Sequence, residues 1–281
     1  MRNKIELMIA VFLLVTLGVV AAPLPGDEPG SAPLTITPSI SAAMKHFAKL
    51  APPPKTANKG VIAGNIDLRF PEFSSSTGSN AAVMAINKAI QTRLLTLLDD
   101  KTSTTVEQLM EIFIKGYEKS LKDAPIMPGG WSLRFEATIR HADENLLCLK
   151  ILNSVFTGGA HPTSNIAYLV FSMKTGEQIQ LTTLIPENKM DELTKVAEKH
   201  FRQIRNLKPS ETYEKAGFHF KQNRFALNRN FLVSKEGLAF CFNQYEIAPY
   251  SMGVSELIIP WIDLKTIANV DGPAGGFLKE Q

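Results

Sequence analysis

The segment Trp131-Ser132-Leu133-Arg134-Phe135-Glu136-Ala137-Thr138-Ile139-Arg140 decides the fold class, because apolar and polar residues alternate through it without interruption. A period of two is typical of a strand with one buried face. The polar residues 141–145 predict a turn, and residues 146–156 predict the returning strand. The loop Phe156-Thr157-Gly158-Gly159-Ala160-His161-Pro162 then leads into a further strand over residues 165–173. Its two adjacent glycines predict backbone with positive φ.

Helical periodicity appears on both sides of this strand region. Asn80 is expected to cap a helix that ends near Leu98. Thr104 with Glu107 three residues later fits the capping box that opens a second helix. Residues 190–207 predict a third helix with one apolar side. Further strands are expected at 61–70 (ended by Pro71), just before Leu181, and at 225–232, 237–242 and 256–261.

Strands and helices therefore alternate without regular βαβ units, which predicts the α+β class: a largely antiparallel sheet with packed helices, in two intimately associated subdomains. The expected division is a signal peptide at 1–21, a largely disordered linker at 22–59 with a short helix over 41–50, an N-terminal α+β subdomain at 60–152, a C-terminal subdomain at 153–268, and a loose tail at 269–281.

The N-terminus predicts export. Arg2 and Lys4 precede an uncharged apolar run over residues 7–22, and small residues end it. These features are typical of a secretory signal peptide, and cleavage is expected after Ala21. An uncleaved anchor is the alternative, although the run is shorter than the about 20 residues that span a bilayer. We therefore expect a periplasmic or secreted protein with no stable membrane span after cleavage.

The charge of the chain argues against nucleic-acid binding. The formal net charge is only +3, and acidic and basic residues are interspersed. A nucleic-acid-binding protein needs a clustered basic surface to contact phosphates. We expect no nucleic-acid partner.

Cys148 and Cys241 are the only cysteines. In an exported protein, two cysteines can form one disulfide. Both lie in predicted strands, and the sequence leaves pairing open against two buried free thiols. Their wide separation, without local cysteine or histidine partners, argues against a structural zinc site.

Several short motifs occur in an order that resembles a known family. They are the 156–162 loop, Lys174-Thr175-Gly176-Glu177, Leu181-Thr182-Thr183-Leu184-Ile185, Asn243-Gln244-Tyr245-Glu246-Ile247-Ala248-Pro249-Tyr250, and Gly253 before Ile258-Ile259-Pro260. Together they resemble the extracytoplasmic domain shared by RsiV-type anti-sigma factors and the non-catalytic N-terminal part of PdaC-type peptidoglycan deacetylases. The resemblance covers roughly residues 60–268, with residues 61–152 similar to the companion domain upstream.

The resemblance implies an extracytoplasmic α+β module, which in RsiV-type members is a lysozyme receptor. Two departures shape the expectation for this chain. Only about six residues precede the apolar run, where an RsiV-type factor has a cytoplasmic sigma-binding segment, and the chain ends shortly after Ile267, where a PdaC-type enzyme has its deacetylase domain. We therefore expect neither sigma-factor binding nor deacetylase activity. Phe156 also replaces a tyrosine that is frequent in the family.

His161 is the main candidate for chemistry. Histidine can act as a general base or contact a ligand near neutral pH. No nucleophile or carboxylate stands near it in a recognised catalytic spacing, so its ring is alternatively expected to hold the loop through backbone hydrogen bonds. The candidate ligand-binding residues are Thr157, Gly158, Gly159, Ala160, His161, Asn243, Tyr245 and Tyr250.

The remaining polar residues give weaker indications. His141, Asp143 and Glu144 lie in a predicted turn, so a solvated loop is favoured over a metal site. His200 is expected at the edge of the core. Tyr245 and Tyr250 either form a recognition surface or plug the end of the sheet. Hydrolase, phosphate-loop and paired-cysteine metal motifs are missing, so no cofactor, metal or catalytic residue is expected.

Two functions follow as hypotheses. The first is an exported, non-catalytic binding module of the bacterial cell envelope that recognises a lysozyme-like protein or a peptidoglycan fragment. The second is a cell-wall hydrolase or esterase centred on His161. A purely structural envelope protein is a third interpretation.

Overall fold

The computed structural model describes residues 32–52, 63–99, 102–123 and 130–280, so the expected signal peptide lies outside the described residues. Six strands form a large sheet in sequential order: β1 (Leu34–Thr37), β2 (Ile40–Ala51), β3 (Gly64–Ser75), β4 (Ser132–Ala142), β5 (Leu146–Phe156) and β6 (Thr163–Ser172). Neighbouring strands are antiparallel except for the parallel pair β3 and β4. The predicted α+β class with a largely antiparallel sheet is confirmed.

Two helices make the crossover that a parallel strand pair requires. They are α1 (Ala81–Leu95) and α2 (Val106–Asp123). Asn80 caps α1 as predicted, since its side chain accepts from the Val83 backbone N–H. The predicted capping box of α2 is shifted by one residue: Thr105 accepts from the Gln108 N–H, and the Gln108 side chain reaches back to the Thr104 N–H. Glutamine serves at this position as well as glutamate.

The alternation in β4 places its apolar residues against these helices. Leu133, Phe135, Ala137 and Ile139 are at most 1% exposed and pack with the inner sides of α1 and α2. The opposite face of the large sheet carries a second core. Here a small sheet packs against β5 and β6, and it consists of β7 (Phe231–Val233), β8 (Gly237–Phe242) and β9 (Ser255–Pro260).

The second core is completed by the remaining helices: α3 (Leu181–Leu184), α4 (Met190–Ile204), α5 (Trp261–Leu264) and α6 (Gly275–Lys279). Leu193, Ala197 and Phe201 lie on the inner side of α4 and are fully buried. The predicted apolar side of this helix therefore faces the core, although α4 ends at Ile204 instead of residue 207.

Residues 34–51 do not form the linker and short helix that the sequence predicts. They form β1 and β2, and β2 pairs with β3 over its whole length. Twelve residues of strand pairing outweigh the helical preference of Ala42, Ala43 and Met44, because intrinsic propensity is weaker than tertiary contacts. The other linker residues, 22–31 and 53–59, lie outside the described part of the chain.

The C-terminal segment after residue 269 is packed, so the expected loose tail is wrong for the described residues up to 280. Ala274 and Leu278 are buried in the second core. The ring of Phe277 stacks on Trp261, with centroids 5.5 Å apart and planes within 5°. Burial of these apolar side chains fixes the position of a Gly-rich segment that composition alone predicts to be a loop.

Three strand boundaries also differ from the prediction. β3 continues past Pro71, which is tolerated because that half of β3 pairs with β2 alone and, among the described residues, has no neighbouring strand on its other side. There the Asn87 side chain binds the N–H and carbonyl of Phe73. The segment before Leu181 makes only one bridge, between Phe171 and Gln178. Residues 225–230 are not strand, although Phe225 is buried.

The expected subdomain boundary at 152–153 falls inside β5, so both predicted subdomains share the large sheet. Cys148 and Cys241 are free and fully buried, and the disulfide alternative is therefore not formed. Burial raises the pKa of both thiols above the ordinary range, so neither is activated as a nucleophile. Among the described residues, no helix is both long and apolar enough to span a bilayer.

Candidate functional site

The structure brings the two predicted recognition loops together. The His161 ring stacks on Tyr250, with centroids 3.8 Å apart and planes within 14°. The His161 Nε2 atom lies 3.1 Å from the Tyr245 hydroxyl, and the Tyr245 and Tyr250 rings are 5.7 Å apart. These three side chains form what we call the His–Tyr–Tyr cluster.

The hydrogen bonds of His161 define its neutral tautomer. Nδ1 lies 3.1 Å from the carbonyl oxygen of Pro162. A carbonyl can only accept, so Nδ1 carries the proton and Nε2 accepts from the Tyr245 hydroxyl. One ring nitrogen therefore fixes the loop through backbone, as one of the sequence hypotheses states, and the other joins the two loops.

The glycines of the 156–162 loop have the predicted backbone geometry. Gly158 and Gly159 have φ values of +104° and +106°. Thr157, Gly159 and Ala160 are exposed, whereas Gly158 and His161 are half-buried. The loop thus presents three small residues to solvent while it holds the imidazole against Tyr250.

Tyr245 is the most prominent residue of the cluster. Its side chain is 65% exposed, and its φ of +66° lies in the left-handed region that bulky residues rarely adopt. Such a conformation persists only where the surroundings enforce it. Glu246 supplies that restraint: its two carboxylate oxygens accept from the Asn243 N–H at 2.8 Å and from Asn228 Nδ2 at 2.7 Å.

Asn243 is one of the predicted ligand-binding residues, but its side chain binds the backbone of β6. Its Oδ1 accepts from the Ile166 N–H at 2.7 Å, and its Nδ2 donates to the Ile166 carbonyl at 3.0 Å. Asn230 makes the same kind of bracket, accepting from the Tyr168 N–H and donating to the carbonyls of Ile166 and Cys241. The two amides form hydrogen bonds with backbone N–H and carbonyl groups at the outer edge of β6, where no described strand pairs with it, and they join this edge to the small sheet. Sequence analysis did not identify Asn230.

Three other histidines form separate pairs with aspartates. His141 Nε2 lies 2.8 Å from Asp143, His200 Nε2 lies 2.8 Å from Asp263, and His46 Nε2 lies 2.9 Å from Asp67. The pair at His200 and Asp263 links α4 to α5 at the edge of the core. Among the described residues, no group of three His, Cys, Asp or Glu side chains could hold a metal ion.

We expect an Asp143→Asn substitution to destabilise the protein at pH 7 by about 1 kcal/mol, because charged hydrogen bonds are lost. Burial raises the pKa of Asp143, but hydrogen bonds from His141 and from the N–H groups of Leu146 and Asn145 outweigh it, so the pKa lies below its ordinary value. A lowered folded-state pKa stabilises above the unfolded-state pKa and ceases to do so as the pH falls through the folded value. The difference in thermal midpoint between wild type and variant should therefore shrink between pH 7 and about pH 3.

Circular-dichroism melts across this pH range measure that difference. Glu214→Gln, at an exposed position, is the control and should change the midpoint little at any pH. A difference at Asp143 that is constant with pH would contradict the assigned role.

Comparison with known proteins gives one family match. Residues 182–262 match the family described as a protein of unknown function, DUF3298. This segment contains Tyr245 and Tyr250 but not His161. No curated protein matches the chain.

Two solved structures are similar over most of the chain. A member of the DUF3298 family from Bacteroides fragilis NCTC 9343 has a TM-score of 0.68 and 20% identity, covering 86% of this chain and 98% of that one. A DUF3298 family protein from Pseudomonas aeruginosa PAO1 has a TM-score of 0.60 and 16% identity, covering 83% and 96%. The chain therefore has the mixed α+β fold of these DUF3298 structures, and residues 182–262 are similar to the DUF3298 family.

Proposed function

We propose that this chain is an exported, non-catalytic binding module of the bacterial cell envelope, of the RsiV/PdaC type, which recognises a lysozyme-like protein or a peptidoglycan-related ligand. The observation that carries the proposal is the His–Tyr–Tyr cluster, where the exposed Tyr245 is held in a restrained backbone conformation. Tyrosine supplies a large contact area and a hydroxyl with little conformational freedom to lose, which suits recognition.

The hydrogen bonding of the cluster fits binding better than hydrolysis. The partners of His161 are a backbone carbonyl and a phenol hydroxyl. A histidine base in acyl transfer is normally oriented by a carboxylate and directed at a nucleophile. His161 therefore acts as a positioning residue for Tyr245 and Tyr250.

Calorimetric titration of the purified protein with lysozyme, and separately with soluble peptidoglycan fragments, tests the proposal. We expect one of the two to bind, and Tyr245→Asn to weaken that binding about 30-fold or more, as at an interface hot spot. Asparagine tolerates positive φ, so this variant removes the ring without adding backbone strain.

The matched control is Ile262→Ala, which truncates an exposed apolar side chain on α5 and should leave affinity unchanged. Tyr245→Phe removes only the hydroxyl and separates its contribution from that of the ring. Binding of neither ligand by the wild type would refute the proposal, as would Tyr245→Asn binding as tightly as the control.

A further inference from the structure

A groove of about 360 Å³ lies beside the His–Tyr–Tyr cluster, along the outer edge of β6. It is lined by residues 165–169 of β6, by residues 228–230, and by Gln178, Asn243 and Glu246. The last turn of α1 adds Arg93 to the lining. Asn243 and Glu246 belong both to the groove and to the loop that carries Tyr245, so the two features share one wall.

Part of the lining is fully committed to the fold. The amide of Asn228 donates to the Cys241 carbonyl and to Glu246, and accepts from the Asn230 N–H. Asn230 and Asn243 hold the β6 edge through both ends of their amides. These side chains shape the groove but have little capacity left for a ligand. Because they occupy the edge of β6, they also oppose the addition of a further strand there.

Four other side chains in the lining are uncommitted. Within residues 32–52, 63–99, 102–123 and 130–280, no hydrogen bond or ion pair is formed by the side chains of Arg93, Asn165, Gln178 or Arg229. Arg229 and Asn165 are exposed, whereas Arg93 is half-buried. Burial lowers the pKa of Arg93, with no acidic group to oppose it.

A half-buried, unpaired guanidinium is costly unless something compensates it. Arg93 lies in the last turn of α1, where the helix dipole favours a cation and offsets part of that cost. The planar donor fork of an arginine matches the two oxygens of a carboxylate. The charged groups of the groove are two guanidiniums and the Glu246 carboxylate, which leaves one positive charge uncompensated. That balance fits a singly charged carboxylate better than a phosphate monoester, which carries close to two charges.

We propose that this groove is a carboxylate-recognition subsite, in which Arg93 and Arg229 bind the carboxylate and Asn165 and Gln178 bind neighbouring amide or hydroxyl groups. The inference rests on the proposed function and narrows its ligand, because the groove adjoins the His–Tyr–Tyr cluster. A peptide C-terminus and an acidic sugar both offer this chemistry.

NMR titration of the full-length, isotope-labelled protein tests the subsite with pairs of probes, of which one member carries a carboxylate and the other does not. The pairs are acetyl-dialanine as free acid and as C-terminal amide, and N-acetylmuramic acid and N-acetylglucosamine. We expect one of the acids to shift groove signals and its neutral partner to bind roughly 10- to 100-fold more weakly, the range for a charged hydrogen bond. The acid that binds identifies the source as peptide or sugar.

Substitutions then assign the effect to residues. Arg93→Met and Arg229→Met should each weaken binding of the acid by a similar factor, and Arg93→Lys should also weaken it because lysine lacks the donor fork. Arg224→Met, at an exposed arginine outside the groove, should have no effect. Equal binding of acid and neutral probes, no groove shifts with either acid, or tighter binding of inorganic phosphate than of both acids would overturn the subsite.

The outcome is separable from that of the proposed function. If Tyr245→Asn leaves lysozyme and peptidoglycan binding intact while Arg93→Met removes acid binding, the proposed role of the cluster fails and the subsite stands. If Tyr245→Asn removes macromolecular binding while the arginine variants bind both acids normally, the subsite alone is refuted.

Discussion

The Phe201→Ala variant is expected to lose about 3–5 kcal/mol of unfolding free energy, the range for truncating a fully buried phenylalanine. Phe201 lies on the inner side of α4 and is 0% exposed. Its ring contacts five others at centroid distances of 5.1–6.1 Å, namely Tyr213, Phe218, Phe220, Phe225 and Phe242. Because these rings also pack against one another, they cannot close the cavity without rearranging the whole group.

Urea denaturation followed by circular dichroism measures this loss as a lower midpoint. The control on the same helix is Ile204→Ala, at a position 45% exposed, which should cost less than about 1 kcal/mol. Phe201→Leu should lie between them, since it leaves a smaller cavity. A loss at Phe201 no greater than that at Ile204 would contradict the central place given to this ring.

The contrast between Phe201 and its partners shows what the sequence allows one to predict. Helical periodicity identifies the inner side of α4 and therefore places Phe201 in the core. Phe218, Phe220 and Phe225 come from irregular backbone, where no period marks a buried side. The predicted strand over 225–232 is mostly wrong for this reason: aromatic packing buries Phe225 without any strand pairing.

The edge of the large sheet was equally hard to predict. The composition of 34–51 favours helix and linker, and only pairing with β3 makes it strand. Strand pairing is a contact between distant residues, so local propensity carries little information about it. The central alternating strand β4 is the opposite case, because its pattern directly encodes which side chains are buried.

The candidate site was predicted as two loops and observed as one cluster. His161 and Tyr245 are 84 residues apart in sequence, and their contact depends on how the small sheet docks on β6. That docking is directed by the amide brackets of Asn230 and Asn243 and by core packing, which leave no short motif. The place of Arg93 in the groove is even harder to predict from sequence, because Arg93 comes from α1, which packs on the other face of the large sheet.

A second large effect is expected between the two sheets, where Lys150 on β5 and Glu256 on β9 form an ion pair. Their Nζ and Oε1 atoms are 2.6 Å apart, and the side chains are only 23% and 15% exposed. The Tyr168 hydroxyl is also close to this carboxylate; burial, and then the charge of Glu256, raises its pKa well above the ordinary range. The carboxylate thus pairs with Lys150 and lies near the Tyr168 hydroxyl, which is buried without a hydrogen-bond partner among the described residues.

We expect Glu256→Leu to destabilise the protein by about 2–4 kcal/mol, because it leaves the Lys150 ammonium partly buried without a counter-charge. Arg140 is also near enough to act on the Tyr168 hydroxyl, so a further positive charge lies in this region. The surface control is Glu192→Leu, which breaks the more exposed pair with Lys189 and should cost less than about 1 kcal/mol.

The double variant Lys150→Met/Glu256→Leu decides why the single change is costly. If the cost is an unpaired charge, removing the lysine as well should restore most of the lost stability, since apolar replacements of a buried pair are often neutral. If the cost is instead lost packing between β5 and β9, the double variant should be no more stable than Glu256→Leu. Urea midpoints of the wild type, both single variants and the double variant form the cycle, and a coupling energy near zero would refute the electrostatic account of this junction.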